Sequence, residues 1–150
     1  NNGFALEYSS DELKNDPKIV KLAIEEDVRA FRYAGESLKN DKKWIKRIVM
    51  LDGLSLEHVN HNLKDENDVV LSAVQQNGLA LEFASKRLKN DKDIVMSAIN
   101  QNPGALIFAS EQLRNDIEVV ELLLPHLQAN KSDDLEEQDI EDSLWGDPFE

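Results

Sequence analysis

The tetrapeptide Leu-Lys-Asn-Asp occupies residues 13–16, returns at 38–41 and 88–91, and comes back with arginine for lysine at 113–116. Leu63-Lys64-Asp65-Glu66 fills the one gap, so the motif recurs every 25 residues. Such a period constrains the fold more than any other feature of the chain. Each unit must form one small supersecondary element, too poor in apolar area to fold alone and covered by its neighbours.

In rows of 25, several columns are apolar throughout or nearly so. Ala5, Ala30, Ser55, Ala80 and Ala105 align, as do Leu6, Phe31, Leu56, Leu81 and Leu106. A ring column holds Tyr8, Tyr33, His58, Phe83 and Phe108, and the motif leucines form another. Later in the row come Ile19, Trp44, Val69, Ile94, Val119 and then Val20, Ile45, Val70, Val95, Val120, followed by columns headed by Ala23 and Ile24. Spacings of three and four place each set on one face of a helix rather than of a strand. The expectation is two helices per row. Leucine closes the first helix onto the core, lysine lies near its negative end, asparagine turns the chain, and aspartate caps the second helix. Pro17, directly after Asp16, suits a first helical position. The first helix starts after Asn2, Asp52, Asn77 or Asn102, with Gly3, Gly53 and Gly78 expected to ease the turn. The predicted fold is all-α, an α-solenoid of five 25-residue αα-hairpin repeats with an acidic C-terminal tail. Repeats run over about 2–26, 27–51, 52–76, 77–101 and 102–127 within an array of 1–130, and the tail covers 131–150.

Stretches such as "NGLALEFASKRLKNDKDIVMSAINQN" (77–102) and "NGFALEYSSDELKNDPKIVKLAI" (2–24) resemble a helical-repeat family catalogued as domain of unknown function 4116. That family is seen in bacterial and protist proteins, including proteins proposed as effectors of intracellular bacteria. The resemblance spans roughly residues 1–127, implies an interaction scaffold and brings no catalytic residues. Repeat two, "DVRAFRYAGESLKNDKKWIKRIV" (27–49), departs from the pattern.

Composition narrows the function classes. A chain of 150 residues at 41% apolar can build a packed core. It has no cysteine, hence no disulfide framework, thiol nucleophile or cysteine zinc site, which leans towards a reducing compartment. No apolar run approaches the ~20 residues that span a bilayer, and residues 1–15 lack the blocks of a signal peptide. The row phase and the absent initial Met suggest a piece of a longer protein. The cytoplasm is the expected location, or a host cytosol if the parent is secreted. Net charge is −13, with nine acids and one base in 131–150. That balance opposes nucleic-acid binding.

Two places break the pattern on the outside. Repeat two gathers Arg29, Arg32, Lys39, Lys42, Lys43, Lys46 and Arg47 against Glu36 and Asp41 over 29–47. Lys43, Lys46 and Arg47 are expected to face outward together, either as a solvated face or as a site for an acidic or phosphate-bearing partner. In the tail, Leu144, Trp145 and Phe149 are threaded among acids like a docking peptide, for another protein or for the basic face of repeat two, within one chain or by self-association between two copies. His58 and His61 stand three apart with Asp65 and Glu66 beyond, but His58 holds the ring column, so a half-buried ring rather than a metal site is expected. No phosphate loop, G-x-S-x-G or H-E-x-x-H occurs, and neither a cofactor nor a catalytic residue is assigned. The expected function is a noncatalytic protein-interaction scaffold. The alternatives are a substrate-positioning array of a larger enzyme, or a phosphate or anionic-lipid module using repeat two.

Overall fold

The computed structural model describes residues 3–126 and 128, and the elements assigned among them are all helical. Each repeat ends in a long helix: Pro17–Glu26, Lys42–Leu51, Asn67–Gln76, Lys92–Gln101 and, shorter, Ile117–Glu121. The arm before it is not the continuous α-helix expected from the sequence. It is a six-residue 3-10 helix followed by one separate turn. The 3-10 helices are Gly3–Tyr8, Val28–Tyr33, Gly53–His58, Gly78–Phe83 and Pro103–Phe108. The turns are α-helical at Asp11–Lys14, Glu36–Lys39 and Glu111–Arg114, and 3-10 at Leu63–Asp65 and Leu88–Asn90. At three residues per turn, the pairs Ala30/Tyr33 and Phe31/Ala34 each share a face, so the spacing of three in the first arm suits this tighter helix. A serine then starts the next turn afresh: Ser85 and Ser110 Oγ each accept the amide of the leucine three residues on, at 3.2 Å.

The long helices begin as expected. Asp16, Asp41, Asp91 and Asp116 each accept two free amides of the first turn, as Asp91 does from Asp93 and Ile94 at 3.1 and 3.2 Å. Glu66 makes no such bond, and its longer carboxylate reaches Lys42 of repeat two instead, at 2.7 Å. The 3-10 helices are capped in the same way by Asp27, Asp52, Asn77 and Asn102, while Asn2 lies outside the described residues.

Burial shows that the units stack in one direction. Ala30, Ser55, Ala80 and Ala105 are buried and Ala5 is exposed; Val69, Ile94 and Val119 are buried and Ile19 is 36% exposed. These columns are covered by the preceding repeat, which the first repeat lacks among the described residues. At the other end Val120 and Leu124 are 38% and 48% exposed, whereas Val20, Ile45, Val70, Val95, Val49, Val74 and Ile99 are fully buried. Those columns are covered by the following repeat. One continuous core of buried residues therefore runs along the array, an all-α repeat solenoid.

The recurring tetrapeptide is the fastener between repeats. The carbonyl oxygens of Lys14, Lys64 and Lys89 accept the amides of Gly35, Ser85 and Ser110 of the next unit at 2.7, 3.0 and 2.8 Å. The asparagine column does more than turn the chain. Asn15 Oδ1 accepts from the Ser37 amide and hydroxyl, Asn90 Oδ1 from Ser110 Oγ at 2.5 Å, and Asp65 from Ser85 Oγ. The motif lysine reaches back to a carbonyl of its own 3-10 helix, Lys39 Nζ to Arg32 O at 2.8 Å and Lys64 Nζ to Glu57 O at 2.7 Å. One residue past the motif, Lys42 bridges to Glu66 and Asp68, and Lys92 to Asp116 and Glu118. Both lysines are held above their ordinary pKa by hydrogen bonds to those carboxylates.

The glycines serve close approach rather than a turn, since no described residue has positive φ. A Cβ on Gly53 or Gly78 would run into the carbonyl oxygen of Ala73 or Ala98 at the end of the same repeat's long helix; on Gly3 it would lie 2.6 Å from Ala23 O. The approach is locked by glutamine. Gln76 Oε1 accepts from the Gly53 amide at 2.7 Å while its Nε2 donates to Leu51 O at 3.3 Å, and Gln101 Oε1 accepts from Gly78. Repeat two has Val28 and Leu51 at these two columns, and its 3-10 helix stands off its own long helix as those of repeats one, three and four do not. Trp44, in a column otherwise Ile or Val, is half-buried against the core, and the long helices of repeats one and two lie farther apart than those of repeats two and three.

Substituting the glycine elsewhere should reproduce this separation at a cost. Gly78→Val should destabilise the array by about 1–3 kcal/mol, the usual penalty of overpacking, measured as a lowered urea midpoint; an unchanged midpoint would mean that the approach of Gly78 to Ala98 is not needed.

Candidate functional site

Where Val28 and Leu51 stand in place of the glycine and glutamine that close repeats three and four, a cleft of about 510 Å³ opens between the 3-10 helices of repeats two and three. Asp27, Val28, Arg29 and Arg32 line one wall, and Asp52, Leu54, Ser55, Glu57 and His58 the other. Capping fixes most of the acids. Asp27 Oδ1 accepts the Arg29 amide at 2.9 Å, and Asp52 accepts the Leu54 amide at 3.2 Å and the Ser55 hydroxyl at 2.9 Å. The Arg29 guanidinium forks onto the Asp27 carboxylate, with its shortest contact at 2.6 Å, and lies 5.7 Å from the Phe4 ring centre. Hydrogen bonds from Arg29 hold Asp27 below the usual carboxylate range.

Arg32 is different. Its guanidinium lies 5.5 Å from the centre of the Tyr33 ring, exposed, and forms no ion pair among the described residues. Opposite, the His58 side chain is 27% exposed, with Nε2 3.7 Å from Glu57 Oε2. Burial is the main cause that lowers the His58 pKa; Glu57 opposes it, and Arg32, Lys39 and Lys64 reinforce it. The half-buried ring expected from the sequence is what the structure has, and the described residues contain no group of His, Cys, Asp and Glu able to hold a metal.

Five of the seven basic residues gathered in repeat two fall into two places. Arg29 and Arg32 line the cleft, while Lys43, Lys46 and Arg47 sit on the long helix and take no part in its lining. Of the three expected to face outward together, Lys46 pairs with Asp68 of repeat three at 3.4 Å, beside the Lys42 pair, while its side chain stays 42% exposed. Lys43 and Arg47 remain exposed without an ion pair among the described residues. Leu144, Trp145 and Phe149 lie outside the described residues. The wall contributed by repeat three was missed by sequence reasoning, although the replaced glycine and glutamine at Val28 and Leu51 were a visible signal. Leu51 and Leu54, 63% and 39% exposed, add apolar surface beside Asp52.

A family model described as Domain of unknown function (DUF4116) matches residues 1–39, 16–64, 41–89, 67–114 and 91–124. The chain belongs to this family. Four of the five DUF4116 matches start at or beside a cap or the first residue of a long helix, at 16, 41, 67 and 91. Each of the three longest spans about two structural repeats, so the family unit joins a pair of neighbours. No curated protein and no solved structure matches the chain. No helix among the described residues is long and apolar enough to cross a membrane.

The lowered pKa gives His58 a pH signature. The unfolded chain takes up its proton first, near the ordinary value of about 6.5, so His58 imposes no loss above that value and costs stability as pH falls through the window below it. His58→Phe, which restores the ring of Phe83 and Phe108, should flatten the fall in urea midpoint between neutral and mildly acid pH. Parallel profiles for the two proteins would show that His58 does not titrate against the fold.

Proposed function

We propose that this chain is a noncatalytic protein-interaction scaffold, and that the cleft between repeats two and three takes a partner segment carrying an apolar residue next to an acidic one. The observation that carries the reading is local. The unit in which Val28 and Leu51 stand in the glycine and glutamine columns presents an exposed Arg32, with no ion pair among the described residues, beside exposed Leu54. An apolar side chain entering between Val28 and Leu54 would gain roughly 25 cal/mol for each Å² it buries. A carboxylate at Arg32 would add a charge-assisted bond of planar, bidentate geometry.

A phosphate or anionic-lipid site has less support. The cleft lining sets Arg29 and Arg32 against Asp27, Asp52 and Glu57, and Arg29 is already bound to Asp27. On the long helix Lys46 faces Asp68, leaving Lys43 and Arg47 as separated point charges of small individual worth in physiological salt. Neither place gathers the uncompensated cations that a phosphate surface uses.

Panning a displayed peptide library on the whole chain tests the proposal. Enriched peptides should share an acidic residue close to a bulky apolar one. Their enrichment should fall at least tenfold on Arg32→Glu and on Val28→Gly, which restores the closing column, while Lys43→Glu/Arg47→Glu leaves it unchanged. Enrichment that ignores the first two variants, or that tracks Lys43 and Arg47, would overturn the cleft as the site.

A further inference from the structure

In the ring column, between Tyr33 and Phe83, His58 is the side chain that can take up a proton near neutral pH. Three cations act on it. Arg32 stands on the other wall of the cleft. Lys39 and Lys64, the motif lysines of the same two repeats, hold their ammonium groups against the carbonyl oxygens of Arg32 and Glu57, at 2.8 and 2.7 Å. Glu57 acts in the opposite sense, but its carboxylate is exposed and lies 3.7 Å from Nε2, longer than a hydrogen bond. The ring makes no hydrogen bond among the described residues.

The other charges around this 3-10 helix are already engaged or stand on elements away from the cleft lining. Asp27 is bound by Arg29, and Asp52 accepts the Leu54 amide and the Ser55 hydroxyl. The long helix of repeat two carries Lys42 and Lys46, both paired with Asp68 on the long helix of repeat three, and the exposed Lys43 and Arg47. The 3-10 helix of repeat four carries the exposed Glu82. None of these but Asp27, Arg29 and Asp52 lines the cleft.

Burial and the three cations keep the imidazole neutral at neutral pH. A carboxylate brought to Arg32 reverses that balance. Held by the guanidinium fork, it keeps further lone pairs free, offsets the positive charge about the ring, and can accept a charge-assisted bond from an imidazolium N–H. A carboxamide in the same place brings no charge and leaves the ring neutral.

We propose that the acidic residue of the partner segment seats its carboxylate between Arg32 and His58, and that one proton enters the imidazole as it binds. This rests on the cleft being the binding site, and adds to it a second binding group and a dependence of affinity on pH. The complex holds one proton more than the free protein, so affinity rises as pH falls, by up to about tenfold per pH unit, until the free ring charges as well. The partner's carboxylate, ordinarily titrating at about 4, stays ionised through that window.

NMR titration of the whole chain with a blocked pentapeptide carrying adjacent leucine and aspartate, at neutral and at mildly acid pH, tests this. The dissociation constant should fall roughly threefold or more at the lower pH. The Cε1 proton of His58 should titrate at a higher pH with the peptide than without it, with the exposed His61 as internal reference. His58→Phe should abolish the gain at acid pH, and the asparagine counterpart of the peptide should show none. Equal affinity at both pH values, or a gain that His58→Phe retains, overturns the proposal and leaves the cleft as the site. Absence of binding at either pH, or binding that Arg32→Glu leaves intact, overturns the cleft reading and the proposal with it.

Discussion

Everything in this chain depends on a unit of 25 residues being unable to bury its own apolar faces. A short 3-10 helix, a single turn and a ten-residue helix enclose too little surface to offset the entropy of ordering them. Leu56, Val69, Val70 and Val74 become fully buried only because repeats two and four lie on either side. The recurring tetrapeptide makes that stacking specific in register. Its lysine carbonyl and its asparagine or aspartate side chain engage the next unit, and its aspartate starts the long helix of its own. Slipping one unit along the next would break bonds and caps together, so packing and polar geometry select the same register.

An array built from nearest-neighbour contacts can carry a departure in one unit while the others keep their form. Repeat two shows this. Its 3-10 helix, with Val28 in the glycine column, stands off its own long helix, that long helix lies apart from that of repeat one, and repeats three and four still close on glycine and glutamine. The basic residues of repeat two are for the most part used to hold that loosened unit in place. Lys42 and Lys46 tie it to Asp68, Lys39 ties its turn back to its 3-10 helix, and Arg29 braces its cap. Asp68 is kept below the usual carboxylate range by hydrogen bonds from Lys42, so these ties persist at neutral pH and weaken only in strong acid.

The stacked all-α architecture was legible because eight columns repeat, and four of five long-helix caps were read correctly from a single aspartate column. The form of the first arm was not. Residues three apart share a face in both α and 3-10 helices, and over six residues the two periods barely diverge. What separates them is the break at Ser10, Ser85 or Ser110, which looked like helix interior in the sequence. The surroundings of the basic residues were not legible for a different reason. Charge counted within one repeat cannot show that Lys46 is opposed by Asp68, because the neutralising group comes from the next row. The cleft itself was written in the sequence as a missing glycine and a missing glutamine, but only the contact of Gly53 with Ala73 shows why their loss opens a space.

The central claim, that the motif joins one repeat to the next, is tested most directly by native-state amide exchange at the serine column. The account predicts that the amides of Ser85 and Ser110, bonded to Lys64 O and Lys89 O, exchange only through opening of whole junctions and are protected to a similar degree as the neighbouring core amides of Val70 and Val95. The Ser10 amide, which meets no acceptor among the described residues, should exchange close to the rate of an unstructured peptide. Ser85 and Ser110 amides that exchange as fast as that of Ser10, while Val70 and Val95 stay protected, would contradict the claim.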